Sequence, residues 1–194
     1  FSYKVDGPLD MRMDKRQTLT AFTIVNTYSV DELTRIFRDY GEEKFAYSIA
    51  KNIVKFREFA PISTTLQLVD IIKRSKPMKE LSKIGHPAKQ AFQALRIATN
   101  DEINVLVSTI DKALARLNSK GRLAIITFHS GEDRIVKNAF KNVAVEIGNR
   151  IDGPMGTEQK QFNLVTRKPI EASDEELVIN HRSKSAKLRI IEAK

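Results

Sequence analysis

Apolar residues recur at spacings of three and four over most of the first half of the chain, and this spacing predicts helices. Two of these runs open with a capping box, Ser29 to Glu32 and Thr64 to Gln67, in which paired side chains satisfy free backbone N–H groups. A third run extends from Phe45 to Phe56 and stops before Pro61. The pattern therefore predicts an all-helical block over residues 18–98.

The pattern changes after this block. Asn100 and Asp101 are placed to cap a long amphipathic helix, and after Gly121 the short run Leu123 to Phe128 is typical of a buried central strand. Helix, tight turn, strand and new helix in that order indicate an α/β sheet. We predict three edge strands: Val143 to Ile147, Phe162 to Thr166 and Leu188 to Glu192.

These strands are too few to close a doubly wound sheet. We therefore expect residues 99–194 to be part of a larger α/β sheet, and residues 1–17 to be a turn-rich loop. The chain opens Phe1-Ser2-Tyr3, without an initiator methionine or a signal-peptide pattern. We expect it to begin within a longer protein, whose preceding part supplies the remaining strands.

The amino-acid composition excludes several classes of protein and of functional site. The chain has 194 residues, 41% hydrophobic and 29% charged, which is typical of a globular protein. It has no cysteine, which excludes disulfides, zinc–thiolate sites and cysteine nucleophiles, and a reducing intracellular compartment is expected. No apolar segment approaches the roughly 20 residues needed to span a bilayer. We expect no membrane partner and a cytoplasmic protein, or an organellar one if the source is eukaryotic.

The net charge of +9 favours a polyanionic partner. Nine basic and three acidic residues lie between positions 51 and 90, so much of the excess positive charge lies in this stretch. Lys73, Arg74 and Lys76 are the densest cluster of this stretch. A solvated helical surface is the alternative interpretation.

Polar residues follow the predicted central strand, where ligands bind in open α/β sheets. His129 and Ser130 stand there, and Glu132 and Asp133 open the next helix. They are candidates for holding a polar substrate. The alternative is that Ser130 caps the helix, the two acids complement its dipole and His129 packs. A Ser-His-Asp triad is not expected, because adjacent positions do not supply its geometry.

Three further groups of polar residues each allow more than one role. Asn100 is either a helix cap or an acceptor for an exocyclic amine. Asp6, Asp10 and Asp14 do not have calcium-loop spacing, so no metal is expected, and Arg12 could pair with them. The basic stretch from His181 to Arg189 has the composition of a phosphate-contacting segment, with a flexible tail as the alternative.

These segments together resemble the small-subunit rRNA cytosine-N4 methyltransferases of the MraW/RsmH type, in family order over nearly the whole chain. The matching stretches are Phe1-Ser2, Asp6-Gly-Pro-Leu-Asp-Met-Arg-Met-Asp14, Tyr40-Gly-Glu-Glu43, Pro61-Ile-Ser-Thr-Thr65, His86-Pro-Ala88, Phe92 to Ile97 with Asn100, Gly121-Arg122, Phe128-His-Ser130, Glu132 to Lys137, Asn180, Arg182 and Ser185 to Arg189. The chain departs from the family pattern at four positions: Gly131 replaces a usual Leu, Lys89-Gln90 replaces Thr-Arg or Thr-Lys, and His181 replaces Pro.

The resemblance implies S-adenosylmethionine-dependent methylation of a cytidine N4 amine in 16S-type rRNA of the small ribosomal subunit. In the family, the donor-binding elements precede the equivalent of Phe1, so no cofactor-binding residue is expected in this chain. The resemblance makes the helical block a substrate-recognition insert in a doubly wound, Rossmann-like methyltransferase domain. Residues 1–17 are then a loop of that domain, and residues 99–194 are its C-terminal half. Asn100, His129 and Ser130 become the catalytic candidates. The candidate phosphate contacts are Lys73, Arg74, Lys76, Lys89, Arg96, Arg182, Lys184 and Lys187.

Two other functions remain as alternatives. A non-catalytic RNA- or ribosome-binding module would keep the basic helical block and lack a donor site. A hydrolase using His129 is the less favoured of the two.

Overall fold

The structure is a computed structural model that describes residues 2–145 and 162–194. The chain divides into two compact units, Phe1–Glu102 and Ile103–Lys194. We call them the helical unit and the sheet unit and describe each by itself. No helix of the described residues is long and apolar enough to cross a membrane.

The helical unit is built from short helices joined by tight connections. Both predicted capping boxes are present: Ser29 and Thr64 each accept an N–H from the third helical residue, whose side chain accepts the cap N–H in return. The helices are α1 (Ala21–Thr27), α2 (Val30–Asp39), α3 (Ala46–Arg57), α4 (Thr65–Arg74), α5 (Met78–Leu81) and α6 (Lys89–Asn100).

One hydrophobic core holds these helices together. Its largest fully buried side chains include Phe37 of α2, Ile49 of α3, Leu68 of α4 and Leu95 of α6. Gly41 marks where the end of α2 meets α6, since a Cβ there would lie 2.6 Å from the carbonyl oxygen of Gln90. The buried residues lie on the apolar helix faces that their spacing of three and four positions predicts.

Residues 2–17 form a non-helical loop, as predicted, and this loop packs on the helical unit. Leu9 and Met11 are buried in the helical core. Backbone hydrogen bonds join the loop to the start of α4, from Leu9 N–H to Ser63 O (3.1 Å) and from Thr65 N–H to Gly7 O (2.8 Å). The assignment of this loop to a methyltransferase domain stays a prediction.

The sheet unit combines helices with one small, mainly antiparallel sheet, so the predicted mixed α/β class is confirmed. The elements are α7 (Glu102–Leu114), β1 (Arg122–Thr127), α8 (Ser130–Val143), β2 (Ala144–Val145), β3 (Phe162–Leu164), β4 (Ile170–Glu171), α9 (Asp174–Ile179), a 3-10 helix (His181–Ser185) and β5 (Lys187–Ala193). The described strands run in the order β1-β5-β3-β2, and β4 also pairs with β5. Among these strands β2 and β3 pair in parallel, and the other pairs are antiparallel.

Within the described sheet, two strands differ from their predicted places. Among the described residues β1 is an edge of the sheet rather than its centre, and Ile126 is 57% exposed. The predicted edge strand Leu188 to Glu192 is interior, because β5 pairs with both β1 and β3. Charged residues made β5 resemble an edge, but its Arg189 is buried. The end of the predicted strand Val143 to Ile147 lies outside the described residues.

Candidate functional site

Asn100 is the last residue of α6, and its side chain holds the loop of residues 2–17. Its Nδ2 donates to the carbonyl oxygens of Met11 (2.8 Å) and Arg96 (2.9 Å), and its Oδ1 accepts the N–H of Met13 at 2.7 Å. Both amide hydrogens are thus used, and one of the two acceptor positions of Oδ1 is taken. Asn100 anchors the loop to α6 and does not cap the following helix.

The anchored loop has further internal contacts. Met11 has a φ of 60°, a left-handed conformation that is uncommon outside glycine, asparagine and aspartate, while its side chain is buried. Arg12 donates to both oxygens of Asp10 (2.6 and 2.9 Å) and to the carbonyl oxygen of Gln17 (2.8 Å). Hydrogen bonding from Arg12 lowers the pKa of Asp10 to about 2. Gln17 in turn donates to the carbonyl oxygen of Thr99, next to Asn100 (2.8 Å).

The three aspartates of this loop are paired with donors. Asp14 accepts from Arg16 at 2.8 Å, and Asp6 accepts the N–H of Leu66 at 3.1 Å. In the described part of the chain, no group of three or more His, Cys, Asp or Glu side chains could hold a metal ion. The carboxylates of the loop therefore accept hydrogen bonds from arginine side chains of the loop and from backbone N–H groups.

His129 is the N-cap of α8, and its ring folds over the first turn of that helix. Its Nδ1 accepts the N–H of Glu132 at 3.3 Å, so the neutral ring carries its proton on Nε2. Nε2 lies 3.0 Å from Glu132 Oε1, but the contact lacks the alignment of a hydrogen bond. Ser130 does not cap this helix, as the alternative interpretation had it: Ser130 is the first helical residue, and it is exposed.

Glu132 is held between this ring and the end of β1. Its Oε2 accepts the N–H of Phe128 at 3.0 Å. Burial raises the pKa of Glu132, but the contact with His129 and the N–H of Phe128 outweigh burial and leave the pKa below its usual value. The turn after β1 therefore presents an exposed Ser130 hydroxyl beside a histidine ring and an ionised carboxylate.

Asp133 and Arg189 form a buried ion pair behind this turn. Arg189 donates from Nε and Nη2 to the two carboxylate oxygens, at 2.7 and 3.0 Å. The pKa of Asp133 is lowered, with the hydrogen bonds from Arg189 as the largest cause. This paired geometry joins α8 to β5 and sets the position of the His129 turn.

A family model described as the MraW methylase family matches residues 1–194. The chain belongs to this family. The Oenococcus oeni protein named "Ribosomal RNA small subunit methyltransferase H" is 50% identical over 194 residues, which are 99% of this chain and 62% of the relative. A Lachnospira eligens protein of the same name is 52% identical with the same coverage, and one from Halothermothrix orenii is 49% identical. The chain thus spans about 62% of the length of these relatives.

Membership of the MraW family confirms the resemblance seen in the sequence, and the mixed α/β fold agrees with the Rossmann-like methyltransferase fold expected from it. Gly131 lies close to the ring of His129. A Cβ at Gly131 would lie 3.3 Å from Nδ1 and 3.4 Å from Cε1 of His129. A larger side chain at this position would require the capping ring to shift slightly.

The candidate phosphate contacts of this MraW-family chain differ in exposure. Arg96 pairs with Glu102 through two hydrogen bonds of 2.8 and 2.9 Å. Lys187, in β5, is half-buried. The exposed candidates are Lys73, Arg74 and Lys89 in the helical unit and Arg182 and Lys184 in the sheet unit.

Lys76 does not fit the role of a phosphate contact. Only 6% of its side chain is exposed, and its Nζ donates to Glu43 Oε2 (2.6 Å) and to the carbonyl oxygen of Pro87 (2.7 Å). The ammonium group is already neutralised inside the helical unit. Basic composition could not show this, because Glu43 lies outside the basic stretch.

The basic segment near the C-terminus is a structured element and not a flexible tail. Residues His181–Ser185 form a 3-10 helix that leads into β5. The Ser183 hydroxyl donates to the carbonyl oxygen of Asn180 at 2.7 Å, which fixes the turn. Arg182 and Lys184 are therefore presented on an ordered backbone.

Proposed function

We propose that the protein containing this chain transfers a methyl group from S-adenosylmethionine to the N4 amine of a cytidine in small-subunit rRNA. The observation that supports this proposal is the match to relatives of about 50% identity that carry the name of a small-subunit rRNA methyltransferase. Because the chain spans 62% of those relatives, the proposal concerns the whole protein. An rRNA substrate would place it in the bacterial cytoplasm or inside an organelle.

The proposed chemistry depends mainly on positioning. The lone pair of the cytosine amine is conjugated into the ring, so the amine is a poor nucleophile that must be held in line with the donor methyl group. Hydrogen-bond acceptors that hold the amine hydrogens assist this alignment. The base must also leave its stack before it can react.

The three candidate residues would have different parts in this chemistry. Ser130 has an exposed hydroxyl and is proposed as a direct contact to the cytidine. His129 caps α8 through Nδ1, so it is proposed as a positioning residue that holds the Ser130 turn. Asn100 is proposed to position the loop of residues 2–17 through its contacts to Met11 and Met13.

The turn between β1 and α8 offers no ready anion site for S-adenosylmethionine. The Glu132 N–H is already accepted by His129, and Arg189 is already paired with Asp133. Neither group is free to hold the carboxylate of a bound donor. We therefore propose, as the resemblance implies, that the donor binds to a part of the protein outside this chain.

The test is a single-turnover methylation assay on small-subunit particles with labelled S-adenosylmethionine, followed by analysis of the rRNA nucleosides. The longer protein is expected to yield N4-methylcytidine, and the 194-residue chain alone is expected to yield none. Calorimetry with the chain alone is expected to show no binding of the donor. If the longer protein binds particles without methylating them, the binding-module alternative replaces the proposal; micromolar donor binding by the chain would overturn the placement of the donor site.

A further inference from the structure

We infer that a cavity in the helical unit binds one unstacked base of single-stranded RNA, an inference that rests on the proposed function and extends it to substrate recognition. The cavity has a volume of about 300 Å³ and lies where the end of α3, the connection after it and one face of α4 meet. No catalytic candidate lines it. Its chemistry combines an aromatic side chain, a guanidinium group and polar groups that can hydrogen-bond a base edge.

The shape of the cavity follows from the helix geometry. Gln67, Asp70, Ile71 and Arg74 all line it, because residues spaced by three, four and seven positions share one face of a helix. Ile71 is only 4% exposed and contributes an apolar surface. The cavity therefore has an apolar interior with polar side chains from α4 around it, as binding sites for planar ligands commonly do.

Phe59 is the feature that points to a base. Its side chain is 83% exposed beside this cavity, just after the end of α3. A single exposed apolar side chain is ordinary by itself. Here the exposed ring adjoins a cavity in the basic part of the chain, and every base has a face that stacks on an aromatic ring.

Arg74 supplies the charge that an RNA ligand needs. Its guanidinium carbon lies 5.7 Å from the centre of the Phe56 ring, a cation–π contact that orients the side chain at the cavity. Arg74 is nonetheless exposed, as is the neighbouring Lys73. A phosphate next to the bound base would be neutralised by this pair.

Gln67 and Asp70 can contact the edge of the base. The Oε1 of Gln67 accepts the N–H groups of Ser63 (2.8 Å) and Thr64 (3.1 Å), and no hydrogen bond within the described residues uses its Nε2. Asp70 is exposed, and it forms no ion pair within those same residues. A carboxylate acceptor beside an amide donor matches cytosine or adenine, which carry an exocyclic amine next to a ring-nitrogen acceptor.

Binding of short labelled RNAs to the chain, measured by fluorescence anisotropy over a range of salt concentrations, tests this site. Phe59→Ala is expected to weaken binding of oligocytidine by about 5- to 150-fold, the effect of losing one stacked base, without changing the salt dependence. Arg74→Ala is expected to reduce the log–log salt slope by about 0.7. Asp70→Asn is expected to reduce the preference for oligocytidine over oligouridine. Tyr47→Ala is the matched control, because Tyr47 is a 59%-exposed aromatic residue that does not line the cavity.

The inference is overturned if Phe59→Ala binds oligocytidine as the parent does while its melting temperature is unchanged. It is also overturned if the loss is equal for duplex RNA, since a paired base cannot enter the cavity, or if an acidic peptide but no RNA competes for the site. Methylation by the longer protein is scored separately. Altered RNA binding without any methylation contradicts the proposed function alone, and methylation with normal binding by Phe59→Ala contradicts the base site alone.

Discussion

At the scale of single residues, the polar side chains that matter are those with partners far away in the sequence. Asn100 contacts Met11 and Met13, and Lys76 contacts Glu43 inside the helical unit. Neither contact is visible in a local pattern. An asparagine at the end of a helix resembles a cap, and a lysine within a basic run resembles a solvated side chain. The sequence therefore singled out both residues, but their partners distant in the chain could not be predicted from it.

Replacing Asn100 with Asp tests its role as an anchor. The change removes both donors to the carbonyl oxygens of Met11 and Arg96 and puts a carboxylate against them. The free energy of unfolding is expected to fall by about 1 to 3 kcal/mol, the cost of leaving such groups unsatisfied, as measured by urea denaturation. Asn118→Asp, at an exposed position, is the control. Equal stability of Asn100→Asp and the parent would mean that the side chain does not hold the loop.

Asp10 gives the loop a defined pH dependence. Its pKa in the folded chain is about 2, below the ordinary 3.8, because Arg12 hydrogen-bonds the charged carboxylate. A lowered pKa means that the pair stabilises the fold above about pH 4 and that this stability is lost as the pH falls towards 2. The parent should therefore be more stable than Asp10→Asn near neutral pH, and the difference should shrink in acid. A difference that is constant from pH 7 to about pH 2 would contradict the pairing with Arg12.

At the scale of elements, the helix starts that depend on neighbouring residues were predicted from the sequence. The strand order, which depends on pairing between distant residues, was not. Both capping boxes follow from residues three positions apart, and both are present. The strand order depends instead on pairings such as Arg122 with Glu192. The buried Asp133–Arg189 pair, 56 positions apart, likewise left no local signal. A charged residue within a strand indicates a solvent-facing position, unless the residue that forms an ion pair with it is known.

Substitutions in the turn after β1 separate helix capping from a part in methylation. His129→Ala should lower stability by about 1 kcal/mol through loss of the cap, whereas His129→Asn should retain most of it, because asparagine is a good N-cap. Ser130→Ala should leave the melting temperature unchanged but slow single-turnover methylation by the longer protein by about 10- to 1000-fold. If Ser130→Ala remains folded and methylates at the parent rate, Ser130 does not contact the cytidine. If His129→Ala also methylates at the parent rate, the cap does not position the reacting turn.

At the scale of the whole molecule, the net charge of +9 is divided between structural and exposed groups. Arg12, Lys76, Arg96 and Arg189 are paired with acids inside their own units. Exposed bases remain on each unit. Charge composition alone predicts attraction to a polyanion, but only burial and pairing show which side chains can supply it.

Lys73 is exposed, whereas Lys76 is buried in an ion pair, so substitutions at these neighbouring lysines should have different effects. Replacing Lys73, Arg74 and Lys89 together with Ala removes three exposed charges and should lower the log–log salt slope of RNA binding by about 2, with little change in melting temperature. Lys76→Ala instead leaves the carboxylate of Glu43, 1% exposed, without its partner and should destabilise the fold by about 3 to 5 kcal/mol. Urea denaturation and anisotropy titrations on the same variants measure both effects. An unchanged slope in the triple variant would identify those bases as a merely solvated surface, and a stable Lys76→Ala with a lower slope would place Lys76 at the RNA after all.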